Sequence, residues 1–128
     1  NELLPAYTRQ HQFYHSVHQT IDMNHKSCPN GGKLVFAGWS RPDRFSHADT
    51  PGAILGYRLQ LNVQLADHRQ LIAVSTDFDH ARGEWQSRVA TLHLTQDDVI
   101  NTVTVRAVLD AMRAGAFFDD FYLALKCK

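Results

Sequence analysis

The chain lacks an excess of charge of either sign, and it lacks long apolar runs. Its 13 basic and 13 acidic residues give a formal net charge of zero over 128 residues. A chain with no net charge and no cluster of basic residues lacks the positively charged surface that binds nucleic acid or an anionic membrane. No apolar run approaches the roughly 18–20 residues that a membrane-spanning helix requires. The sequence therefore predicts no nucleic-acid partner and no transmembrane segment.

Catalytic and cofactor motifs are missing too. None of the serines lies in the Gly-x-Ser-x-Gly setting of an activated nucleophile. Gly31-Gly32-Lys33 lacks the leading glycine of a phosphate-binding loop, and a strand pattern follows it where such a loop requires a helix. The sequence accordingly predicts no catalytic residues, no cofactor and no metal ligands. It favours a binding protein over an enzyme and leaves enzymatic activity as the alternative.

Cysteine is scarce, with only Cys28 and Cys127. The pair lacks the CxxC spacing of a zinc knuckle, which leaves one disulfide or two free thiols. We favour the disulfide, which would close nearly the whole chain and would require an oxidising compartment. The first residue is Asn1 and not Met, from which we expect an exported chain whose leader has been removed. The prediction is a periplasmic or secreted protein, and a domain cut from a longer cytosolic chain is the alternative.

The strongest pattern that is present is a fault-free alternation over residues 57–66. The apolar positions are Tyr57, Leu59, Leu61, Val63 and Leu65, and the positions between them are Arg58, Gln60, Asn62, Gln64 and Ala66. Successive residues of a strand point to opposite faces, so this segment makes one apolar and one polar face. A strand of a parallel sheet is apolar on both faces. The alternation therefore predicts an antiparallel sheet with one polar face open to solvent.

Other patterns complete the strand and helix prediction. Alternating or apolar stretches predict strands over residues 33–39, 53–66, 71–78 and 84–94. Apolar residues at steps of three and four predict a helix over about residues 2–25. Thr95, followed by acidic residues, is a typical start for a second helix that ends at Gly115. The tail, residues 117–128, fits both a helix and a strand, and we assign it to a strand because its aromatic residues favour sheet.

These elements predict a single globular domain over residues 1–128 of the α+β class. The expected architecture is a mostly antiparallel sheet of four to five strands. An N-terminal helix packs on one face of that sheet, and a second helix precedes the last strand. A composition of 44% hydrophobic and 20% charged residues is typical of a globular domain of this size.

Two clusters of polar residues are candidate sites. His11, His15 and His18 would share one side of the first predicted helix, where histidines one turn apart are able to chelate a transition metal. We favour a histidine-rich helix flank without a metal. Asp77, Asp79 and His80 end a predicted strand and could supply an acid and a base, but a solvated turn is the favoured interpretation.

The function predicted from these observations is protein binding by a small exported inhibitor or immunity protein. The partner would be another protein, such as an enzyme or a secreted bacterial toxin, occluded by the polar sheet face and the 40–52 loop. The predicted contact residues are Arg44, Asp49, Arg58, Gln60, Asn62 and Gln64. The alternatives are a small-ligand-binding or hydrolytic domain, with a pocket between the sheet and the first helix, and a structural subunit of an envelope assembly.

Overall fold

The computed structural model describes residues 11–13, 16–43, 54–111 and 116–128, and each regular element in these ranges is a β-strand. The strands are β1 (His11–Phe13), β2 (Ser16–Lys26), β3 (Gly32–Pro42), β4 (Ile54–Leu65), β5 (Gln70–Val74), β6 (Gln86–Leu94), β7 (Ile100–Ala111) and β8 (Ala116–Cys127). The predicted α+β class is therefore wrong, because the described part of the chain is all-β. Within the same ranges, no helix is long and apolar enough to cross a membrane.

The strands form two four-stranded sheets with the orders β1-β8-β3-β6 and β2-β7-β4-β5. The strands pair antiparallel as β1·β8, β2·β7, β3·β6 and β4·β5. These are the pairs of one long hairpin ribbon, in which the first strand pairs with the last and β4 pairs with β5 at the closed end. The ribbon is wrapped so that β8 also pairs with β3 and β7 with β4, again antiparallel. This strand order is that of a jelly roll, in which two sheets share one core.

The hydrophobic core lies between the two sheets. The buried positions alternate along β4, where Tyr57, Leu59, Leu61, Val63 and Leu65 each retain at most 1% of their accessible surface. Phe36 and Phe118 enter the core from the opposite sheet, and Phe78 enters it from the segment after β5. The apolar side of the alternation in β4 is confirmed as the inner side of its sheet.

The predicted N-terminal helix is wrong over its described part, because Ser16–Lys26 form β2. Val17 and Ile21 are four residues apart, a spacing that places side chains on one face of a helix and equally on one face of a strand. Both pack against the core from β2. The β-branched side chains of this segment favour the strand. Residues 2–10 of the predicted helix lie outside the described ranges.

The second predicted helix is also wrong, because Ile100–Ala111 form β7. Val103 and Ala107 are again four residues apart, but Val105 and Leu109 are buried as well, which is the period of a strand. A run of β-branched residues supports that period. Gly115, the predicted helix end, lies outside the described ranges.

The capping pattern at Thr95 marks a turn between β6 and β7. The Thr95 backbone N–H donates to Asp98 Oδ2 at 2.8 Å, and the Asp98 N–H donates to the Thr95 carbonyl at 3.2 Å. Asp98, which is 5% exposed, also accepts a hydrogen bond from Arg69 Nη2 at 3.1 Å. The residues that would cap a helix therefore join the β6–β7 turn to the β4–β5 turn.

The strand predictions over residues 33–39, 53–66 and 84–94 are confirmed by β3, β4 and β6, and the tail forms β8. The predicted strand over residues 71–78 is confirmed only as far as Val74, where β5 ends. The helix-like spacing of Phe118 and Phe121 in the tail has a local cause. The register against β3 shifts between Ala37 and Trp39, and Asp120 adopts a φ of 54° opposite this point. Such a bulge inserts an extra residue and exchanges the two faces of the strand. Phe118 and Phe121 therefore both contact core residues, although they are three residues apart.

The favoured disulfide is confirmed between Cys28 and Cys127, which are 99 residues apart in sequence. Cys28 opens a turn in which the Gly31 N–H donates to the Cys28 carbonyl at 2.9 Å, and Gly31 takes a φ of 79° that favours glycine. The next residue, Gly32, pairs with Cys127, and a Cβ on Gly32 would collide with the backbone carbonyl of Lys126. The bond therefore ties the β2–β3 turn to the end of β8.

A buried hydroxyl pair connects the two sheets. Ser40 Oγ lies 2.6 Å from the Tyr57 hydroxyl and donates to the Phe117 carbonyl at 2.8 Å. A serine hydroxyl has one proton, so Tyr57 is the donor in the shorter bond. Burial raises the pKa of Tyr57 to about 12, so the neutral phenol is the form that the core accommodates.

We expect the stability of the protein to fall between pH 10 and 12 because of Tyr57. Its folded-state pKa is about 12 against an ordinary value of 10.0. The stabilisation from a raised pKa is complete below the unfolded value and is lost as pH rises through the folded one. Ionisation should therefore lower the free energy of unfolding by roughly 2–3 kcal/mol over this window. Urea denaturation of the wild type and of Tyr57→Phe at several pH values measures the loss. Parallel pH profiles for the two proteins would contradict it.

Candidate functional site

The candidate site is the outward side of the sheet β2-β7-β4-β5, called here the open face. Its members are the side chains that alternate with the core residues along these strands. They are Ser16, His18, Thr20 and Asp22 of β2; Thr102, Thr104, Arg106 and Val108 of β7; Arg58, Gln60, Asn62 and Gln64 of β4; and Gln70, Ile72 and Val74 of β5.

Strand register arranges the open face in rows that cross the sheet. One row runs through Thr20, Thr104, Asn62 and Ile72, and the next runs through Asp22, Thr102, Gln64 and Gln70. A third row contains His18, Arg106, Gln60 and Val74. Side chains opposite each other in a sheet are close enough to contact one ligand group together. The rows therefore form a continuous polar surface across β2, β7 and β4, which reaches β5 at Gln70.

A shallow depression of about 190 Å³, open to solvent, lies in this surface. Besides the buried Val63, its lining residues are Asn62, Gln64, Gln70, Thr102, Thr104 and Arg106. Carboxamides and hydroxyls both donate and accept hydrogen bonds, whereas the guanidinium only donates. None of these lining residues is acidic or aromatic. The depression therefore offers mixed hydrogen-bonding groups to a polar ligand.

Hydrogen bonds between neighbours hold some of these side chains in place. Gln60 Nε2 donates to Asn62 Oδ1 at 2.8 Å, which leaves the Asn62 amide N–H groups as donors to a ligand. Thr20 Oγ1 and Thr104 Oγ1 lie 2.9 Å apart across β2 and β7. Side chains that are already ordered lose less entropy on binding. The depression is therefore partly preorganised.

The edge of the open face is apolar. Ile72 and Val74 of β5 are 59% and 52% exposed, and Ile72 lies opposite Asn62 of the depression. Exposed aliphatic groups beside a polar depression give a ligand a place for its C–H surfaces. The site thus combines hydrogen-bonding groups with a short apolar border.

The structure brings together the sequence-predicted contact residues of β4. Arg58, Gln60, Asn62 and Gln64 all belong to the open face, and two of them, Asn62 and Gln64, line the depression. Arg44 and Asp49, together with the rest of residues 44–52 of the predicted loop, lie outside the described residues. The structure therefore locates only the sheet half of the predicted binding surface.

Sequence reasoning missed the contribution of β7 to the site. Thr102, Thr104 and Arg106 line the depression beside β4. The reason is the helix predicted over this segment, which leaves β7 out of the sheet. The sequence does contain a pattern that indicates a strand here. These polar residues alternate with Val103, Val105 and Ala107, as in a strand with one face in the core and one face in solvent.

The acidic cluster with a possible acid–base role lies outside the open face. Asp77, Asp79 and His80 are exposed in the segment between β5 and β6. Asp79 Oδ1 accepts the Ala81 N–H at 2.9 Å, and the Asp79 backbone is bonded to the Gln86 side chain. These contacts support the favoured solvated turn. The pocket predicted between the sheet and a first helix is wrong as far as the described residues go, because no helix is found there.

The histidines of the first segment are divided between the two sheets. His11 belongs to β1 and His18 to β2, while His15 lies outside the described residues. The shared helical face on which their possible chelation depended is absent from the described segment. Among the described residues, no group of three or more His, Cys, Asp or Glu side chains is placed to hold a metal ion.

The outer side of the other sheet is chemically different. Trp39, Val89 and Tyr122 are 43%, 51% and 36% exposed there, on β3, β6 and β8. Nearby, the Arg41 guanidinium lies 4.6 Å from the ring centre of Phe117 and 5.4 Å from that of Trp85. This face is partly apolar and aromatic, whereas the open face is rich in amides and hydroxyls. The two sheets therefore present surfaces suited to different contacts.

No model of a known protein family matches the chain, and no characterised protein is detectably similar to it in sequence.

Proposed function

We propose that this chain is an exported binding module whose open face binds a carbohydrate. The observation that supports the proposal is the depression lined by Asn62, Gln64, Gln70, Thr102, Thr104 and Arg106. A sugar presents many hydroxyls, each a donor and an acceptor, and carboxamides and threonine hydroxyls match both capacities. Each well-placed hydrogen bond contributes about 0.5–1.5 kcal/mol.

The size of the depression favours one unit of a longer ligand. Its volume of about 190 Å³ is below the roughly 300–1,000 Å³ of pockets that enclose a drug-sized molecule. It is also open to solvent and continuous with the rows of the sheet. A polysaccharide or glycan chain would place one sugar in the depression and extend across the neighbouring strands.

Two further points support the proposal. Jelly rolls include lectin domains, which is an analogy of fold and names no function by itself. The Cys28–Cys127 disulfide is typical of proteins in oxidising compartments, where extracellular glycans are found. A periplasmic or extracellular location is therefore part of the proposal.

The protein partner predicted from the sequence stays a prediction for the same surface. Protein interfaces are enriched in aromatic residues and methionine at their centres. The open-face side chains that the structure describes are amides, hydroxyls, charged groups, aliphatic residues and the imidazole of His18. This composition favours a carbohydrate over the inhibitor or immunity function, so a toxin or enzyme partner is the competing outcome of the experiments.

Binding to soluble polysaccharides tests the proposed function. Affinity electrophoresis against a panel of neutral and acidic polymers, followed by calorimetry on those that retard the protein, should identify at least one ligand. We expect Asn62→Ala with Thr102→Val to weaken its binding by tenfold or more, since two hydrogen bonds of about 1 kcal/mol each are lost.

The matched control is Thr91→Val on β6 of the other sheet, which removes the same hydroxyl outside the open face. It should leave binding unchanged. The proposal fails if no polysaccharide of the panel binds at millimolar concentration. It also fails if the control weakens binding as much as the double variant.

A further inference from the structure

The arginines of the described chain fall into two groups. Those outside the open face have partners: Arg69 bonds Asp67 and Asp98, Arg82 bonds Glu84, Arg88 bonds the Asp77 carbonyl, and Arg41 lies over aromatic rings. Arg58 and Arg106 have no ion pair or side-chain hydrogen bond with any described residue. These two belong to the open face.

Arg58 and Arg106 lie close to each other on that face. Arg58 is opposite Val108, and Arg106 is opposite Gln60, so the two arginines are diagonal neighbours on β4 and β7. Diagonal neighbours on a sheet are about 7–8 Å apart, within reach of long side chains. His18 of β2 is opposite Arg106 in the same row. The guanidinium groups are thus able to converge on one bound group.

The positive charge of the arginines is confined to one end of the depression. Arg106 lines it there, and Thr102 lies four residues away along β7, which is about 13 Å at the rise of a strand. Asp22 lies opposite Thr102, and its Oδ1 accepts the Asn24 backbone N–H at 2.8 Å. A ligand would therefore meet guanidinium groups at one end. At the other end it would meet hydroxyls and amides beside the Asp22 carboxylate.

A half-buried guanidinium that makes no ion pair or hydrogen bond with any described side chain is able to offer its donors to a ligand. Arg58 and Arg106 are both of intermediate exposure. The planar fork of arginine binds a carboxylate through two parallel hydrogen bonds, which are shorter and stronger than bonds between neutral groups. The chain as a whole has no net charge, so this preference would arise from the local pair and not from general attraction of anions.

We infer that the open face recognises a glycan that carries carboxylates, a polymer of uronic acids, through Arg58 and Arg106. This inference rests on the proposed carbohydrate-binding function and narrows its ligand class. The carboxylate of one sugar unit binds the guanidinium pair, while a neighbouring unit lies in the depression against Asn62, Thr102 and Thr104. The arrangement gives the bound chain a direction along β4 and β7.

The test compares each acidic polymer with its neutral counterpart. Polygalacturonate, alginate and hyaluronan are each measured by calorimetry beside the same polymer after reduction of its carboxyl groups. We expect at least one acidic form to bind tenfold or more tightly than its reduced form. Arg106→Gln should remove most of that advantage, and Arg106→Lys should retain only part of it because lysine lacks the bidentate fork. Arg58→Gln should reduce it as well.

The control is Arg82→Gln, which removes the same charge from an exposed ion pair between β5 and β6. This variant should leave the affinity for the acidic polymer and the affinity for its reduced form unchanged. Equal binding of acidic and reduced polymers overturns the inference while the carbohydrate-binding function stands. Failure of every polymer to bind overturns both. Dextran sulfate that binds as tightly as the best uronate polymer overturns the carboxylate assignment, because it indicates general attraction of anions.

Discussion

Replacing both cysteines, Cys28→Ser with Cys127→Ser, is expected to lower the free energy of unfolding by about 4–5 kcal/mol. The bond joins residues 99 positions apart, and in the chain-entropy model a loop of about 100 residues gives a stabilisation of this size. The bond also holds the β2–β3 turn against the end of β8. For a domain of this length the loss corresponds to a fall in Tm on the order of 15 °C.

Thermal and urea denaturation of the double variant and the wild type measure this effect. A reducing agent should destabilise the wild type to the same level and should leave the double variant unchanged, which separates loss of the bond from the effect of serine. A double variant that unfolds within about 1 kcal/mol of the wild type would show that the bond contributes little.

The second large effect is expected at Phe118, where Phe118→Ala should cost about 3–5 kcal/mol. Phe118 is completely buried between the sheets. Its ring centre lies 6.0 Å from that of Tyr57, 6.1 Å from that of Phe78 and 6.1 Å from that of Phe121. Tyr57 and Phe78 come from the opposite sheet and the segment that follows it, so truncation opens a cavity where the two sheets meet.

Urea denaturation compares this variant with Tyr122→Ala on the outward side of the same strand. Tyr122 is 36% exposed, so its truncation should cost about 1 kcal/mol or less. The free energy of unfolding of Phe118→Leu should lie between that of Phe118→Ala and that of the wild type. Equal losses for Phe118→Ala and Tyr122→Ala would mean that the two sheets are not held together by this cluster.

The stability of the core bears directly on the site. The open-face residues of β4 and β7 alternate with core residues of the same strands, such as Leu61 and Val105. Side chains on rigid strands are held more precisely than side chains on loops. Variants of Asn62, Thr102 and Arg106 should therefore change binding with little effect on folding, whereas Phe118→Ala should change folding first.

The sequence by itself determined the strand β4 and the polarity of its two faces. Alternation over residues 57–66 is a local pattern, and a strand converts it directly into an inner and an outer side. The Cys28-Pro29-Asn30-Gly31 turn also follows from local sequence, because proline and glycine restrict or permit particular backbone angles. The disulfide was one of two alternatives, because its geometry depends on residues 99 positions apart.

The two helix predictions failed for a common reason. Pairs such as Val17 and Ile21, or Val103 and Ala107, are four residues apart, and this spacing fits one face of a helix and one face of a strand alike. The local sequence is compatible with a helix and with a strand. Hydrogen bonding between strands selects the strand, because β7 pairs with both β2 and β4. Tertiary context commonly overrides weak helix propensity in this way.

Only the tertiary structure decided which strands are neighbours, and therefore what the site contains. Asn62 of β4 lies opposite Thr104 of β7, although 42 residues separate them in the numbering. Gln60 of β4 lies opposite Arg106, which also makes Arg106 a diagonal neighbour of Arg58. The register of two distant strands follows from how the whole ribbon wraps around its core, and no local pattern records it. The sequence thus contained the polar residues of the open face, and the fold of the two sheets brought them together.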